Sequence, residues 1–431
     1  MKLRNQLLAI ACLLVFAGIG YLYVRTWVVQ KPFGVILFVS DGLASSELTA
    51  ARIFEGGADH RLSIEAFPHL ALLRNFAEDF AVPDDAAAAS ALATGVRGHR
   101  RALSVDAGGK ALQSITQIAR EQGRAIGIVT NGSLAGPTTG AFYAHTADAG
   151  DSASIAVQLL EKFRPEVALG GGANDFLPRA RLGLRQDGRD LLGEFQAKGC
   201  KIVRTKAELE DSEAFQEDGI LGLFAPGPLA FSTNIESGSQ QPSLSDLVRR
   251  AIVFLQQSSK GYLLVVDASL VGKAAENNEG ERALAEIAAL DRAIATARDY
   301  AGDKSLIIAA GSHGIGGMSL NSSPSGSPLR QDRGVALLGS SADGYPYLTW
   351  ATGPNGPPPT SQALPPAPGD PNARPSQKPA PGAKSQPAAV QTPYALNSAD
   401  DMIAVGRGAG AEKLTGFLDS VAIFSILRDA L

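Results

Sequence analysis

The chain has 431 residues, of which 45% are hydrophobic and 19% are charged, and its formal net charge at pH 7 is −4. This size and composition indicate a globular protein with one large core or two modest ones. The mildly acidic balance excludes the basic surface that binding to a nucleic-acid backbone requires, so we expect no nucleic-acid partner.

An apolar run without a charged residue extends from Leu7 to Val24, and basic residues stand on both sides of it. Its 18 residues are just enough to cross a bilayer as a helix. A cleaved signal peptide is the alternative, but its apolar region is usually shorter and is followed by small residues rather than by bulky aromatic ones. We therefore expect residues 1–31 to form a transmembrane anchor or a signal segment. The rest of the chain is then exported, and it is secreted if the segment is cleaved.

From Phe33 onward, short apolar runs alternate with helical patterns, which is typical of a parallel sheet covered on both faces. Apolar residues at helical spacing predict a helix after Ser243, with Asp246 completing a capping box, and another after Glu279. The clearest predicted strands are 35–39, 125–129, 167–169, 262–266 and 305–309. We expect an α/β fold with a doubly wound, mostly parallel sheet, whose ligands bind beyond the carboxyl ends of its strands.

Polar residues follow three of these predicted strands. Asp41 comes after the first, Asp267 after the fourth, and Ser312 with His313 after the last. Each one alone is as well explained as a helix cap or a turn former. Together they predict a functional site at that edge of the sheet.

The segment from 353 to 393 differs from the rest of the body. It is rich in Pro, Ala, Gly, Ser and Gln and has few bulky apolar residues, so it cannot bury enough surface to fold alone. We predict a disordered insertion within a single domain that spans residues 33–431. The insertion serves as a spacer or as a docking segment for a protein partner.

The segment from Val82 to Gly95 contains Asp84 and Asp85, a run of small residues and a final Thr-Gly. It resembles the nucleophile segment of the alkaline phosphatase family. Six further segments resemble that family in the expected order: 35–42, 140–146, 169–172, 242–244, 266–269 and 410–412. The resemblance implies the family's fold, its metal-dependent hydrolysis of phosphate monoesters and a tendency to form homodimers.

The resemblance also places Asp85 where the family has its nucleophilic serine. A carboxylate can form a phosphoenzyme, but it then needs metals and an arginine to neutralise the charge at the phosphoryl group. The family's phosphate-binding arginine corresponds to Ala149. We therefore expect Asp85 to be inactive as a nucleophile and to cap a helix that begins at Ala86.

The family's first zinc ligands correspond to residues that bind zinc poorly or not at all, namely Gly272, Glu276 and Asn397. For the second zinc, Asp41 and His313 match the family, but Ser312 replaces an aspartate. A single zinc ion bound by Asp41, Asp85 and His313 is conceivable.

The family's magnesium ligands are better matched. Asp41, Thr138 and Asp267 correspond to three of them, and Gly136 replaces a fourth. Oxygen ligands of this kind suit magnesium. The alternative is that the three side chains only hydrogen-bond to one another.

These substitutions predict a membrane-anchored pseudophosphatase, in which the fold is kept for binding or scaffolding while hydrolysis is lost or very weak. The alternative hypothesis is an active hydrolase of altered chemistry, with one or two metal ions on Asp41, Asp85, Thr138, Asp267 and His313.

Overall fold

The computed structural model describes residues 2–27, 33–212, 219–235, 239–322, 335–357 and 385–431. The chain divides into two units, Met1–Pro32 and Phe33–Leu431. Part of the insertion predicted to be disordered, 353–393, is ordered, because Ala388–Gln391 forms a strand that pairs with Leu348–Gly353. Residues 358–384 lie outside the described part, and for them the insertion stays a prediction.

The first unit contains helix α1, Lys2–Trp27, which has 26 residues. Within the described part of the chain, no helix has both the length and the apolar character needed to cross a membrane. The structure therefore does not support the transmembrane helix predicted from the sequence.

The second unit alternates strands and helices along most of its length. Its strands are β1 Gly34–Ser40, β2 His69–Arg74, β3 Ala125–Ser133, β4 Val167–Gly171, β5 Lys201–Val203, β6 Ile220–Leu223, β7 Tyr262–Asp267, β8 Leu306–Gly311, β9 Gly314–Ile315, β10 Met318–Leu320, β11 Leu348–Gly353, β12 Ala388–Gln391, β13 Asn397–Ser398, β14 Met402–Arg407 and β15 Thr415–Asp419. Its α-helices are α2 Ser45–Gly56, α3 Asp85–Thr94, α4 Ile115–Glu121, α5 Pro137–Gly140, α6 Ser152–Gln158, α7 Ala173–Phe176, α8 Leu191–Ala197, α9 Lys206–Glu210, α10 Leu244–Leu255, α11 Ser269–Ala275, α12 Gly280–Ala301 and α13 Ala422–Ala430. Short 3₁₀ helices cover Ser63–Ala66, Arg179–Arg181, Ser232–Asn234, Val335–Leu338 and Ala411–Lys413, and a π-helical turn covers Leu159–Phe163.

A ten-stranded sheet forms the centre of this unit, in the order β15-β2-β14-β8-β1-β7-β3-β4-β6-β5. Its strands pair in parallel, except that β14 is antiparallel to both β2 and β8. The predicted α/β architecture is confirmed, and all five predicted strands belong to this sheet. Two small sheets, β10-β11-β12 and β13-β9, lie outside it.

Helices cover both faces of the sheet because its central strands carry apolar side chains on both sides. Ile36 and Phe38 of β1 pack into one core with residues of α2, α10 and α12, while Val35 and Leu37 pack into a second core with residues of α3, α4 and α13. Burying each such side chain contributes about 1.5–3 kcal/mol. The capping box predicted at Ser243 and Asp246 is present at the start of α10.

The order of the central strands brings the predicted functional residues together. Strands β8, β1, β7 and β3 are neighbours, and Val39 of β1 is in register with Asp267 of β7 and Ala310 of β8. Because these strands are parallel, their carboxyl ends meet at one edge of the sheet. Asp41, Asp267 and His313 therefore lie close to one another.

Candidate functional site

Asp41, Ser312 and His313 form a buried hydrogen-bonded group just beyond β1 and β8. The Ser312 hydroxyl donates to Oδ1 of Asp41, and the same oxygen lies 3.3 Å from Nδ1 of His313. Ser312 Oγ is also 3.1 Å from that nitrogen, and the three residues are at most 7% exposed. Each of these side chains thus satisfies another, as buried polar groups must.

The charge state of His313 follows from its neighbours. Burial lowers its pKa, but the nearby carboxylates of Asp41, Asp85 and Asp84 outweigh that effect and raise the pKa above the usual value. A protonated His313 therefore offsets part of the negative charge of Asp41.

Asp267 ends β7 and is 1% exposed. Its Oδ2 accepts hydrogen bonds from the hydroxyls of Thr130, at 2.7 Å, and of Ser269. Its Oδ1 is buried and has no hydrogen-bond partner among the residues that the structure describes. Burial, together with the carboxylates of Asp41 and Asp85, raises the pKa of Asp267 to about 7. We call Asp41, Asp267, Ser312 and His313 the buried cluster.

Asp84, not Asp85, caps helix α3. Asp84 Oδ1 accepts from the backbone N–H of Ala87 at 2.8 Å, and its Oδ2 accepts from the N–H of Arg101 at 2.7 Å. The expected cap at Asp85 is thus wrong by one residue, because the helix begins at Asp85 itself. Asp85 is half-buried and lines a cavity.

This cavity has a volume of about 480 Å³. It brings Asp41, Asp85 and Thr138 together, as the sequence predicted, and it also includes Gly272 and Glu276. The lining also includes Leu229, Phe231, Ser269, Leu270, Lys273, Glu279 and Arg282.

The sequence did not predict Lys273 and Arg282, two cations of the described part of this lining. Lys273 Nζ lies 3.1 Å from Glu276 Oε2, and a nitrogen of Arg282 lies 2.8 Å from Glu279 Oε2. The Arg282 guanidinium also lies 4.8 Å from the centre of the Phe231 ring. Both ion pairs join residues three apart along the chain, and this spacing is the sequence signal that could have predicted them. We call Asp85, Gly272, Lys273, Glu276 and Arg282 the cavity wall.

The residues that the sequence resemblance matched to the family's first zinc ligands do not fit that ion. A Cβ atom at Gly272 would lie 2.7 Å from Cβ of Asp41 and 2.9 Å from Cδ1 of Ile315, so an aspartate there requires its neighbours to move. The amide of Asn397 donates to the carbonyl oxygen of Pro83 at 3.0 Å. Glycine has no ligand atom, and amides are poor zinc ligands.

The position of the phosphate-binding arginine is also changed. Ala149 is 8% exposed, and its N–H donates to the carbonyl oxygen of Arg101 at 2.7 Å. A methyl group cannot hold phosphoryl oxygens in the bidentate way that a guanidinium does.

No group of three or more His, Cys, Asp or Glu side chains within the described ranges is arranged to hold a metal ion. The zinc site predicted from Asp41, Asp85 and His313 is therefore not formed. His313 is held through Nδ1, which faces Asp41 and Ser312 within the buried cluster.

The chain also matches known proteins in sequence. Residues 34–431 match the family model for alkaline phosphatase. The tissue-nonspecific alkaline phosphatase of Gallus gallus is 30% identical over 375 residues, which cover 75% of this chain and 70% of that protein. The human isozyme is 30% identical over 61% of this chain and 59% of its own length, and the alkaline phosphatase of Escherichia coli is 31% identical over 63% and 68%.

Solved structures show the same fold. The alkaline phosphatase of Thermus thermophilus superimposes with a TM-score of 0.71 at 22% identity, covering 94% of this chain and 92% of that one. The enzyme of the Antarctic bacterium TAB5 gives 0.70 at 20% identity, covering 93% and 98%. The resemblance inferred from the sequence is thereby confirmed.

Proposed function

This chain belongs to the alkaline phosphatase family, and we propose that it keeps the family's fold and cavity but has lost zinc-dependent hydrolysis of phosphate monoesters. The protein then acts by binding a ligand or a partner. The observation that carries this proposal is that Asp85, a carboxylate, lines the cavity at the position of the family's nucleophilic serine.

Three physical requirements of the family's reaction support the loss. The reaction needs a hydroxyl nucleophile, metal ions that lower its pKa, and a guanidinium that holds the phosphoryl group. Asp85 stands at the position of the nucleophile, Gly272 at that of a metal ligand and Ala149 at that of the guanidinium. The carboxylate of Asp85 also contributes to a field that repels a phosphate dianion.

A magnesium ion remains compatible with Asp41, Thr138 and Asp267. The supporting observation is the buried Oδ1 of Asp267, which has no hydrogen-bond partner in the described part of the chain. The pKa of Asp267 is raised chiefly by burial and further by the carboxylate of Asp41, and a cation there would neutralise the repulsion between the two carboxylates. Thr138 is 4% exposed and lines the cavity beside Asp41.

A second candidate function is an active hydrolase in which Asp85 is the nucleophile. The observation that favours it is that Lys273 and Arg282 line the same cavity as Asp85 and could neutralise a phosphoryl group. We rank it second because each of these cations is already paired with a glutamate of the same cavity.

One assay separates the two candidates. The purified full-length protein is incubated with 4-nitrophenyl phosphate in the presence of zinc and magnesium, beside an Asp85→Ala variant. We expect the two proteins to release 4-nitrophenol equally slowly. Faster release by the unaltered protein, abolished in Asp85→Ala, would overturn our proposal in favour of the second candidate. The Escherichia coli enzyme is the positive control for the assay.

We also propose that the body is exported, on the support of the apolar run at Leu7–Val24. Fractionation of cells that produce the full chain tests this, and a body found wholly in the cytoplasm would contradict it. Recovery with the membranes would favour an anchor over a cleaved signal.

We also propose that the Pro-rich insertion docks a protein partner and that the chain forms a homodimer. Deleting 358–384 should remove a co-purifying partner if the insertion docks one. Sedimentation of the full chain reports the oligomeric state.

A further inference from the structure

We propose that Glu286, a buried residue of α12 outside the cavity lining, is the positioning residue for the apolar side of the cavity. It holds residues 228–232, here called the rim segment, and it connects them to the start of α11. Glu286 thereby decides how the apolar side chains of the lining face a ligand. This inference rests on the proposed function only in taking the cavity as the binding site.

The rim segment supplies part of the apolar lining but does not belong to a strand or an α-helix. Leu229 and Phe231 line the cavity, and they lie in the connection between β6 and α10, whose described part contains one short 3₁₀ helix. The N–H of Leu229 donates to the carbonyl oxygen of Asn131, and the N–H of Ala230 donates to Oε1 of Gln241, both at 2.9 Å. The position of the rim segment therefore depends on individual hydrogen bonds.

Helix α12 contacts two consecutive residues of this segment through one of its faces. Oε1 of Glu286 accepts a hydrogen bond from the backbone N–H of Ser232. Arg282 lies four residues earlier and thus on the same face of the helix. Its guanidinium lies 4.8 Å from the centre of the Phe231 ring. The two side chains of α12 therefore fix both the backbone and the aromatic ring of the rim segment.

The other carboxylate oxygen of Glu286 reaches α11 through Asn131. Oε2 accepts from Nδ2 of Asn131 at 3.2 Å, and Oδ1 of Asn131 accepts from the backbone N–H of Leu270 at 3.2 Å. This N–H belongs to the first turn of α11, where it has no partner within the helix, and α11 has no side-chain cap. Because Leu270 also lines the cavity, one carboxylate connects two parts of the apolar lining.

Burial makes this network sensitive to substitution. Glu286 is 2% exposed and Asn131 is 4% exposed. A buried carboxyl group is costly unless its oxygen atoms are hydrogen-bonded, so the network favours one arrangement of its donors. A glutamine at 286 would place an NH₂ group, which cannot accept a hydrogen bond, against one of the two N–H donors.

Hydrogen–deuterium exchange of the full-length protein, measured by mass spectrometry at short labelling times, tests this inference. In Glu286→Gln we expect the amides of 229–231 to exchange at least about ten-fold faster, because a hydrogen bond to a charged group is lost and the rim segment opens more often. Glu281→Gln is the matched control, because Glu281 lies on the same helix and is exposed. It should exchange at the rate of the unaltered protein.

Ser232→Pro removes only the donor of the hydrogen bond to Glu286. Phe231 has a ψ of 146°, outside the α region, as the residue before a proline requires. We expect this variant to accelerate exchange at 229–231 about as much as Glu286→Gln does. Combining the two changes should add less than about a three-fold increase, because the shared hydrogen bond is already lost. Circular dichroism shows that each variant folds, and Ser232→Pro carries the test if Glu286→Gln does not.

Two results would overturn the inference. One is exchange at 229–231 that stays at the rate of the unaltered protein in the folded variants. The other is full multiplication of the two effects in the double variant, since Glu286 would then act elsewhere in the fold. Rapid hydrolysis of 4-nitrophenyl phosphate by the unaltered protein would instead overturn the proposed function. Exchange is measured without substrate, so the two failures are distinguishable.

Discussion

The buried cluster and the cavity wall belong to one site but are held in different ways. Asp41 and His313 follow strands of the central sheet, and Asp267 ends one. All three are at most 7% exposed, and their side chains hydrogen-bond to neighbouring side chains. Asp85 and Glu276 lie at helix ends and are half-buried.

Under the proposed loss of hydrolysis, this difference explains why the buried cluster keeps more of the family's residue types than the cavity wall does. A buried polar residue that loses its partner leaves another group unsatisfied, so replacement there is costly. A residue at a half-exposed helix end can change its chemistry while the core stays intact. The fold can therefore persist while the reacting groups are replaced.

The largest expected effect comes from removing Asp41. Asp41→Ala leaves Ser312 and His313 buried without their shared acceptor, and we expect it to lower the free energy of unfolding by about 3–5 kcal/mol. Asp85→Ala should lower it by less than about 1 kcal/mol, the usual effect of an acid at a helix N-terminus. Urea denaturation measures both. Equal losses would remove the distinction between the buried cluster and the cavity wall.

Restoring an aspartate at Gly272 should have the next largest effect. The new side chain crowds Asp41 and Ile315, so we expect Gly272→Asp to destabilise the protein by about 1–3 kcal/mol. Gly227→Ala is the matched control, because a Cβ there meets no atom within 4 Å. A stable Gly272→Asp protein would show that the cavity wall tolerates a zinc ligand.

The pH dependence of stability should separate the buried cluster from the rest of the fold. The pKa values of Asp267 and of Glu47 on α2 are both raised to about 7, chiefly by burial. A carboxyl whose pKa is higher folded than unfolded contributes stability that is complete below about pH 4 and is lost as the pH rises through about 7. We expect each group to account for a loss of roughly 3–4 kcal/mol at most over that window, since one pKa unit corresponds to about 1.4 kcal/mol.

Two changes show which carboxyl causes each loss of stability. Glu47→Gln should remove only the loss that Glu47 causes. Added magnesium should remove only the loss that Asp267 causes, because a nearby cation favours the charged carboxylate. Thermal unfolding between pH 4 and pH 8 measures both. If magnesium does not change how strongly stability depends on pH, this result argues against an ion at Asp267.

The smallest expected effect lies in the ion pair of the cavity wall. Glu276→Gln breaks a half-exposed pair with Lys273, and we expect it to change the free energy of unfolding by less than about 0.5 kcal/mol. A loss as large as that of Asp41→Ala in the same urea titration would mean that the cavity wall also supports the fold.

The sequence was sufficient for the central sheet because continuous apolar runs such as 35–39 and 262–266 are hardly compatible with any exposed structure. It also placed Asp41, Asp267 and His313 together, since residues that follow parallel strands meet at one edge. It did not reveal Arg282 or Glu279, whose place in the cavity depends on how α12 packs. It also shifted the cap of α3 by one residue, because either of two adjacent aspartates suits an N-cap.

Metal content tests the central claim most directly. The purified full-length protein is dialysed against buffer with equal concentrations of zinc and magnesium, and the bound metals are measured by elemental analysis. Our account predicts far less than one zinc ion per chain and at most one magnesium ion, because Gly272, Glu276 and Asn397 do not form a zinc site. Two zinc ions per chain would contradict it.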